Sequence, residues 1–361
     1  MGPRPRILFV VGARPNFVKT APVIAEVRRR GEWEHILVHT GQHYEPMMSD
    51  VFAQELGLPE PDHSLEVGSG SHSVQTARAM ERLEPIVERE RPDVVMVAGD
   101  VNSTLAGALV SAKLNVPLAH LESGLRSFDR TMPEELNRIV ADECAEYLFA
   151  HSDEAVDNLR AEGVADDRIH LVGNTMIDTL VALEPEFRER DTARALGLPS
   201  GEFLLVTLHR PKVVDGPLLP KVIEALGAVA RDLPVVLPVH PRTRARLKGI
   251  EPPPQVVLTE PLSYLDFLSL ECEARAVLTD SGGVQEETTY LGVPCFTFRD
   301  NTERPVTVRL GTNTILGTDP ARILELPQLL EAQGGTTTEP PPLWDGKAAA
   351  RVVDALEGGL P

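Results

Sequence analysis

Three carboxylates stand at or just after short apolar runs in the first half of this 361-residue chain. Val97-Ala98-Gly99-Asp100 ends one run, His120-Leu121-Glu122 ends another, and Pro133-Glu134-Glu135 opens a stretch of helical character. Carboxylates gathered at one site raise one another's pKa, which suits general acid/base work at neutral pH. Taken singly, Asp100 also reads as a helix N-cap and Glu134 as a first-turn acid that complements the helix dipole. The second half carries a complementary set. His209 and Arg210, His240 and Arg242, and the segment Arg299 to Arg304 each follow an apolar run. Histidine and arginine at successive strand ends suit phosphate binding, with Arg210, His240 and Arg304 as candidates beside His209. Arg14 and Lys19 bracket a helix start after Gly12. They can meet negative charge, although a solvated basic helix end is the plainer reading. His43, in Thr40-Gly41-Gln42-His43-Tyr44, sits at the end of the second run.

The turn Asp280-Ser281-Gly282-Gly283, followed by Val284-Gln285-Glu286-Glu287, is the clearest anion-binding signal. An apolar run stops at two N-cap residue types, and Gly282 and Gly283 let the backbone approach a ligand. The first N–H groups of the helix that follows are free, and its positive end favours a diphosphate. Glu287, one turn on, can accept hydrogen bonds from a ribose diol. The same pattern also serves as a plain strand-to-helix turn. No GxGxxG dinucleotide fingerprint is present.

These residues need a scaffold that brings strand ends together. Short apolar runs alternate with amphipathic stretches, the pattern of a parallel sheet covered by helices. The runs predict strands at Ile7–Val11, His35–Thr40, Val94–Ala98, Leu118–Leu121, Tyr147–Ala150 and Ile169–Val172. They continue at Phe203–Thr207, Val235–Val239, Val256–Leu258, Ala276–Thr279 and Cys295–Phe298. A helical stretch from Ile177 to about Leu196 separates the two sets, and the halves read as two copies of one βα architecture. The expected divisions are residues 1–173, residues 174–343, and a tail of 344–361 with a short helix from Gly346 to Leu356. Segment Gly334 to Leu343 reads as an extended connector. Two doubly wound sheets facing each other place both sets of strand ends at one cleft.

Composition bounds the function. Hydrophobic content of 42% and charged content of 25% belong to a soluble globular chain. A formal net charge of −19 argues against a nucleic-acid partner. It leaves room for a nucleotide, since a few local cations suffice for one diphosphate. Three scattered cysteines form neither a disulfide framework nor a zinc site, and read as buried thiols of a reducing compartment. The apolar run after the basic N-terminus is only strand length and breaks at Gly12-Ala13-Arg14-Pro15. Neither a signal peptide nor a membrane span is expected.

From Val10 to Gly317 the chain resembles the non-hydrolysing UDP-N-acetylglucosamine 2-epimerases. The resemblance rests on Gly12–Lys19, Gln42-His43, Gly99-Asp100, His120–Arg126, Pro133–Arg138, Ser281–Glu287 and Thr302-Glu303-Arg304-Pro305, with Asp345-Gly346-Lys347 near the end. It implies an α/β GT-B fold of two Rossmann-like doubly wound parallel-sheet domains facing a central cleft, with a C-terminal helix returning to the first. It also implies a cytoplasmic homodimer acting on a UDP-sugar, with neither metal nor nicotinamide as cofactor. By similarity Asp100, Glu122 and Glu134 are the acid/base carboxylates, with Arg138 as their charge partner. His209 lies near the diphosphate. Arg14, Ser281, Gly282 and Gly283 bind phosphate, Glu287 the ribose, and Phe267 the uracil face. The expected reaction is C2 epimerisation, by loss of UDP to a 2-acetamidoglucal and its return. A hydrolysing variant, a modified UDP-sugar, or a catalytically weakened binding protein are the alternatives. Two departures stand out. Lys212 and Val213 follow His209-Arg210-Pro211 where relatives carry Glu and Asn, and Asn16 replaces a common Glu. The Thr40–Tyr44 segment resembles the subgroup acting on modified UDP-sugars more than the allosterically activated one.

Overall fold

Residues Ile7 to Val11 form the middle of a sheet because every one of them is apolar and fully buried, on both faces of the strand. The computed structural model describes residues 4–41, 52–239, 241–247, 253–333 and 339–359. The chain divides into two compact units, Met1–Ala182 with Pro342–Pro361, and Leu183–Pro341. In the first unit the strands are β1 (Arg6–Val11), β2 (Glu34–His39), β3 (His63–Ser64), β4 (Val94–Ala98), β5 (Leu118–Ser123), β6 (Tyr147–Ala150) and β7 (Ile169–Leu171). They run parallel in the order β3-β2-β1-β4-β5-β6-β7. The second unit holds β8 (Leu204–Thr207), β9 (Val235–Pro238), β10 (Val256–Thr259), β11 (Ala276–Thr279), β12 (Cys295–Thr297) and β13 (Asn313–Ile315). Its parallel order is β10-β9-β8-β11-β12-β13.

Both sheets therefore have one topology. The strand order reverses between β1 and β4 in the first unit and between β8 and β11 in the second. A doubly wound sheet opens a crevice at such a reversal, just beyond the strands' carboxyl ends. The loops at the two reversals are Gly12–Arg14 and Gly99-Asp100 in one unit, and His209-Arg210 and Asp280-Ser281 in the other. Arg14, Asp100, His209, Arg210 and Ser281, all singled out for their chemistry, occupy these positions.

Each unit has its own core. Leu8, Val10, Val38, Leu83, Val95, Val97 and Leu148 anchor the first. Leu204, Val206, Leu226, Leu237, Leu278 and Phe296 anchor one face of the second. Burying each such side chain stabilises by about 1.5–3 kcal/mol, so truncating a central one is costly. The tail joins the first unit. Trp344, buried, donates its indole N–H to the His151 carbonyl at 3.0 Å. Asp178 accepts from the Ala348 and Ala349 N–H groups at 3.1 and 2.7 Å, satisfying the start of the helix Ala348–Gly359.

Several expected boundaries shift. The stretch read as one helix is Thr175–Arg188 followed by a single turn, Thr192–Ala195. Strand β5 runs past Leu121 to Ser123 through a register shift. Strands β3 and β13 are edge pieces of two and three residues, too short and polar for a period to register. Part of the expected connector, residues 334–338, lies outside the described residues. All three cysteines are free, but only Cys295 is buried, while Cys144 and Cys272 are half-buried. Among the described residues, no helix is long and apolar enough to cross a membrane.

Candidate active site

In the first unit the site grows from the ends of β1, β4 and β5. Asn16, on the helix Arg14–Arg30, folds its side chain back onto the loop that precedes it. Its Oδ1 accepts from the Gly12 and Ala13 N–H groups at 3.1 and 3.2 Å, while Nδ2 donates to the Ala98 carbonyl at 2.7 Å. Asn16 thus ties the β1 loop to the end of β4, and the departure seen in the sequence has a structural job. One turn further on, buried Lys19 reaches Glu122 in a closed ion pair. A Cβ at Gly99 would meet the Lys19 ammonium at 2.8 Å, and Gly99 has φ 61°, so only glycine fits there.

Glu122 is the most unusual residue of this group. It sits where β5 slips register against β6 between Leu121 and Ser123, and its φ is 64°. A left-handed backbone at a non-glycine residue costs about 1–2 kcal/mol and persists only where its surroundings enforce it. Bulges of this kind re-aim a side chain. Asp100, just past β4, is gripped by the helix Pro133–Cys144. Arg138 Nη2 meets its Oδ2 at 2.5 Å and Asn137 Nδ2 donates to its carbonyl at 2.9 Å. Arg138 also reaches Glu135 Oε2 at 3.0 Å. Glu134, partly exposed, lies one turn before Arg138, so both project from one side of that helix. Glu122 and Asp100 each pair with a cation, Glu122 with Lys19 and Asp100 with Arg138, the charge partner that the resemblance implied. Arg14 places its guanidinium 5.7 Å over the Phe52 ring. His43 lies outside the described residues.

In the second unit, Asp280 organises the end of β11. It is fully buried and accepts from the His209 and Arg210 backbone N–H groups at 3.0 and 2.9 Å, with His209 Nδ1 at 2.9 Å from Oδ1. Burial alone would raise this carboxyl. The hydrogen bond and charge of His209 and the backbone N–H groups outweigh it and hold it below its usual range. The His209 ring stays about half exposed, so it is oriented yet accessible. Arg210 Nε donates to the Asp280 carbonyl at 3.0 Å. Ser281 is the N-cap of the helix Gly282–Leu291, and its hydroxyl makes no cap hydrogen bond.

The first glycine of the pair has a specific cause. A Cβ at Gly282 would fall on the Arg304 guanidinium. Arg304 Nη1 meets Glu303 at 2.7 Å and Nε meets Glu286 at 2.8 Å, so this cation shapes the turn from behind. Gln285 fastens the same loop, accepting from Thr302 at 2.7 Å and Asn313 at 3.0 Å. Glu287 is buried and accepts from the Tyr264 hydroxyl at 2.6 Å. Burial pushes its carboxyl up; Tyr264 opposes and the Glu286 charge adds, leaving it at about 7. Phe267 is half-buried on the same helix as Tyr264, against the second face of the core. His240 lies outside the described residues. Lys212 pairs with Asp300 at 2.6 Å on the surface, and Val213 is buried in the core. The sequence reading missed Tyr264 and Gln285; the hydroxyl three residues before Phe267 and the amide inside the Gly282 helix were the available signals.

The fold and the motifs find a match in known proteins. The profile of the UDP-N-acetylglucosamine 2-epimerase family matches residues 25–357. A UDP-N-acetylglucosamine 2-epimerase of Methanocaldococcus jannaschii is 38% identical over 98% of this chain and 99% of its own. A UDP-2,3-diacetamido-2,3-dideoxy-D-glucuronate 2-epimerase of Pseudomonas aeruginosa is 40% identical over 97% of this chain and 99% of its own. The crystal structure of the M. jannaschii UDP-GlcNAc 2-epimerase in complex with UDP-GlcNAc and UDP superposes with a TM-score of 0.91, covering 98% of this chain and 100% of that one. The chain belongs to the UDP-N-acetylglucosamine 2-epimerase family, and its fold class is GT-B.

Proposed function

We propose that this member of the UDP-N-acetylglucosamine 2-epimerase family reversibly epimerises C2 of a UDP-2-acetamido sugar, in the simplest case UDP-GlcNAc to UDP-ManNAc, without net hydrolysis. The observation that carries the reading is Glu122, held in a left-handed bulge by Lys19, on the strand next to Asp100 held by Arg138. The C2 proton is not beside a carbonyl, so direct deprotonation is very slow. Departure of UDP from C1 develops positive charge next to C2 and makes that proton removable. A carboxylate takes it, leaving a 2-acetamidoglucal. UDP then adds back while a proton arrives on the other face.

The residues divide accordingly. Asp100, Glu122 and Glu134 move protons, with Lys19 and Arg138 fixing two of them. In the second unit Ser281, Gly282 and Gly283 offer the diphosphate a helix start, and His209 stands ready to assist its departure. Arg14 adds a further cation for the phosphates. Glu287 takes the ribose and Phe267 the uracil face. The scheme calls for neither metal nor nicotinamide, and a cytoplasmic homodimer is its expected setting.

Incubation with UDP-GlcNAc in deuterated water should place deuterium at C2, with UDP-ManNAc as the product. No exchange with any UDP-2-acetamido sugar sinks the reading. The Pseudomonas relative at 40% identity favours one second reading, a 2,3-diacetamido uronic acid as the sugar. A panel of UDP-sugars ranked by exchange rate separates the two. Stoichiometric free UDP in the same assay would point instead to a hydrolysing outcome.

A further inference from the structure

His120 lies on β5 with no exposed surface, and both of its ring nitrogens face acceptors. Nε2 is 2.8 Å from the Gly99 carbonyl oxygen, and Nδ1 is 2.7 Å from Asp142 Oδ1. A carbonyl has no proton to give, so Nε2 donates. The other Asp142 oxygen already accepts from Arg126 Nη1 at 2.7 Å and from the Gly124 N–H at 3.1 Å. That is the pattern of an ionised carboxylate. The Arg126 guanidinium, always charged, pairs with this carboxyl at 2.7 Å with both side chains buried, and a buried guanidinium needs an ionised partner. Nδ1 therefore donates too, and a ring that donates from both nitrogens is an imidazolium. Arg126 is balanced in turn by Glu162, at 2.7 and 2.5 Å. Two cations and two carboxylates close the group without net charge.

The group grips both turns that carry the carboxylates. The Gly99 carbonyl bonded to His120 belongs to the peptide leading into Asp100. The Gly124 N–H bonded to Asp142 lies two residues beyond Glu122. Gly99, Glu122 and Gly124 all have left-handed backbones, with φ of 61°, 64° and 80°. The two glycines adopt this conformation freely, but Glu122 carries a Cβ, and a left-handed residue of that kind holds only when several contacts fix it.

We propose that His120, as a buried imidazolium paired with Asp142, is a positioning residue that fixes the Gly99 and Glu122–Gly124 turns so that Asp100 and Glu122 keep their geometry through turnover. The proposal rests on the reading of Asp100 and Glu122 as the proton-transfer groups. A ring of purely packing importance would need only one of its two acceptors.

The full chain, labelled with nitrogen-15 in histidine, tests it. In a two-bond proton–nitrogen correlation at neutral pH, both His120 ring nitrogens should show the signature of a protonated imidazolium. The His120→Gln variant assigns the signals by their loss. One protonated and one bare nitrogen overturns the proposal, and if His120→Gln does not fold, the ring signals displaced in Asp142→Asn supply the assignment. For His120→Gln and Asp142→Asn, kcat for C2 exchange should fall about 100-fold while KM for UDP-GlcNAc moves less than about three-fold. Folded variants with native kcat overturn it as well. Parallel Asp100→Asn and Glu122→Gln variants keep the two readings apart. If they still exchange, the carboxylate reading falls and the positioning proposal with it. If they are inactive while the His120 variant turns over normally, only the positioning proposal falls.

Discussion

The Lys19 ammonium and the Glu122 carboxylate form a closed ion pair inside the first unit, with side-chain exposures of 8% and 7%. Removing one partner of a buried pair strands a charge, which typically costs about 3–5 kcal/mol, whereas removing both costs far less. Lys19→Met should therefore destabilise the chain more than Lys19→Met with Glu122→Gln. Denaturant unfolding of the two single variants and the double variant measures the coupling. Additive losses would mean that the pair carries no mutual stabilisation. C2 exchange should be lost in all three.

Gly282 faces the Arg304 guanidinium without room for a methyl group. Gly282→Ala must displace Arg304 from Glu303 and Glu286 and reshape the helix start that offers its N–H groups. UDP affinity should fall by about ten-fold or more, equivalent to about 1.4 kcal/mol, with little change in the first unit. Calorimetric titration with UDP checks this, and native affinity in the variant would refute the role given to the turn.

Glu271, on the helix Tyr264–Glu273, is fully buried and neither carboxyl oxygen has a hydrogen-bond partner. Burial, and then the charge of Glu287, push this carboxyl well above its ordinary value. A buried polar group left unbonded costs about 1–3 kcal/mol, so Glu271→Leu should stabilise by about that amount. The sign with pH follows from the raised native value. The native state holds the proton more tightly than the unfolded chain, whose carboxyl titrates near 4.5. Its contribution is complete below that point and is lost as pH rises. The advantage of Glu271→Leu should accordingly be larger at mildly alkaline than at acid pH, read from unfolding midpoints.

Asp178 caps the helix Ala348–Gly359 through two backbone N–H groups. Burial raises its carboxyl from 3.8 to about 6, against the opposing pull of the Ala349 and Ala348 N–H bonds. Its titration therefore favours the folded state below 3.8 and withdraws that support as pH climbs through about 6. Asp178→Asn keeps an acceptor and cannot ionise, so relative to the native chain it should gain stability across that window. Asp178→Ala loses the cap, costs about 1 kcal/mol, and should speed amide exchange in the first turn of that helix.

Much of the site was legible because chemistry and strand ends coincide in the sequence. Val94–Ala98 and Tyr147–Ala150 are uninterrupted apolar runs of strand length, and both strands have those bounds. Asp280-Ser281-Gly282-Gly283 announced a helix start by residue type alone. What escaped depends on contacts distant in the chain. The Glu122 bulge needs β6 beside β5, and the job of Asn16 needs the Ala98 carbonyl of a strand far along the sequence. His120 was visible as a letter in a motif, but its two acceptors, Gly99 and Asp142, lie 21 and 22 residues away. Glu271 reads as an ordinary helix acid, and only packing reveals that it is fully buried with neither oxygen hydrogen-bonded.

The first unit is written in two pieces, Met1–Ala182 and Pro342–Pro361, with the whole second unit between them. During synthesis the ribosome finishes the first sheet long before it makes Trp344 and the helix Ala348–Gly359. Until then the Asp178 carboxylate has no N–H groups to cap, and the His151 carbonyl lacks the Trp344 indole. The nascent chain must therefore hold an unfinished first unit while the second is translated, and a segment made after the second unit closes the unit made before it.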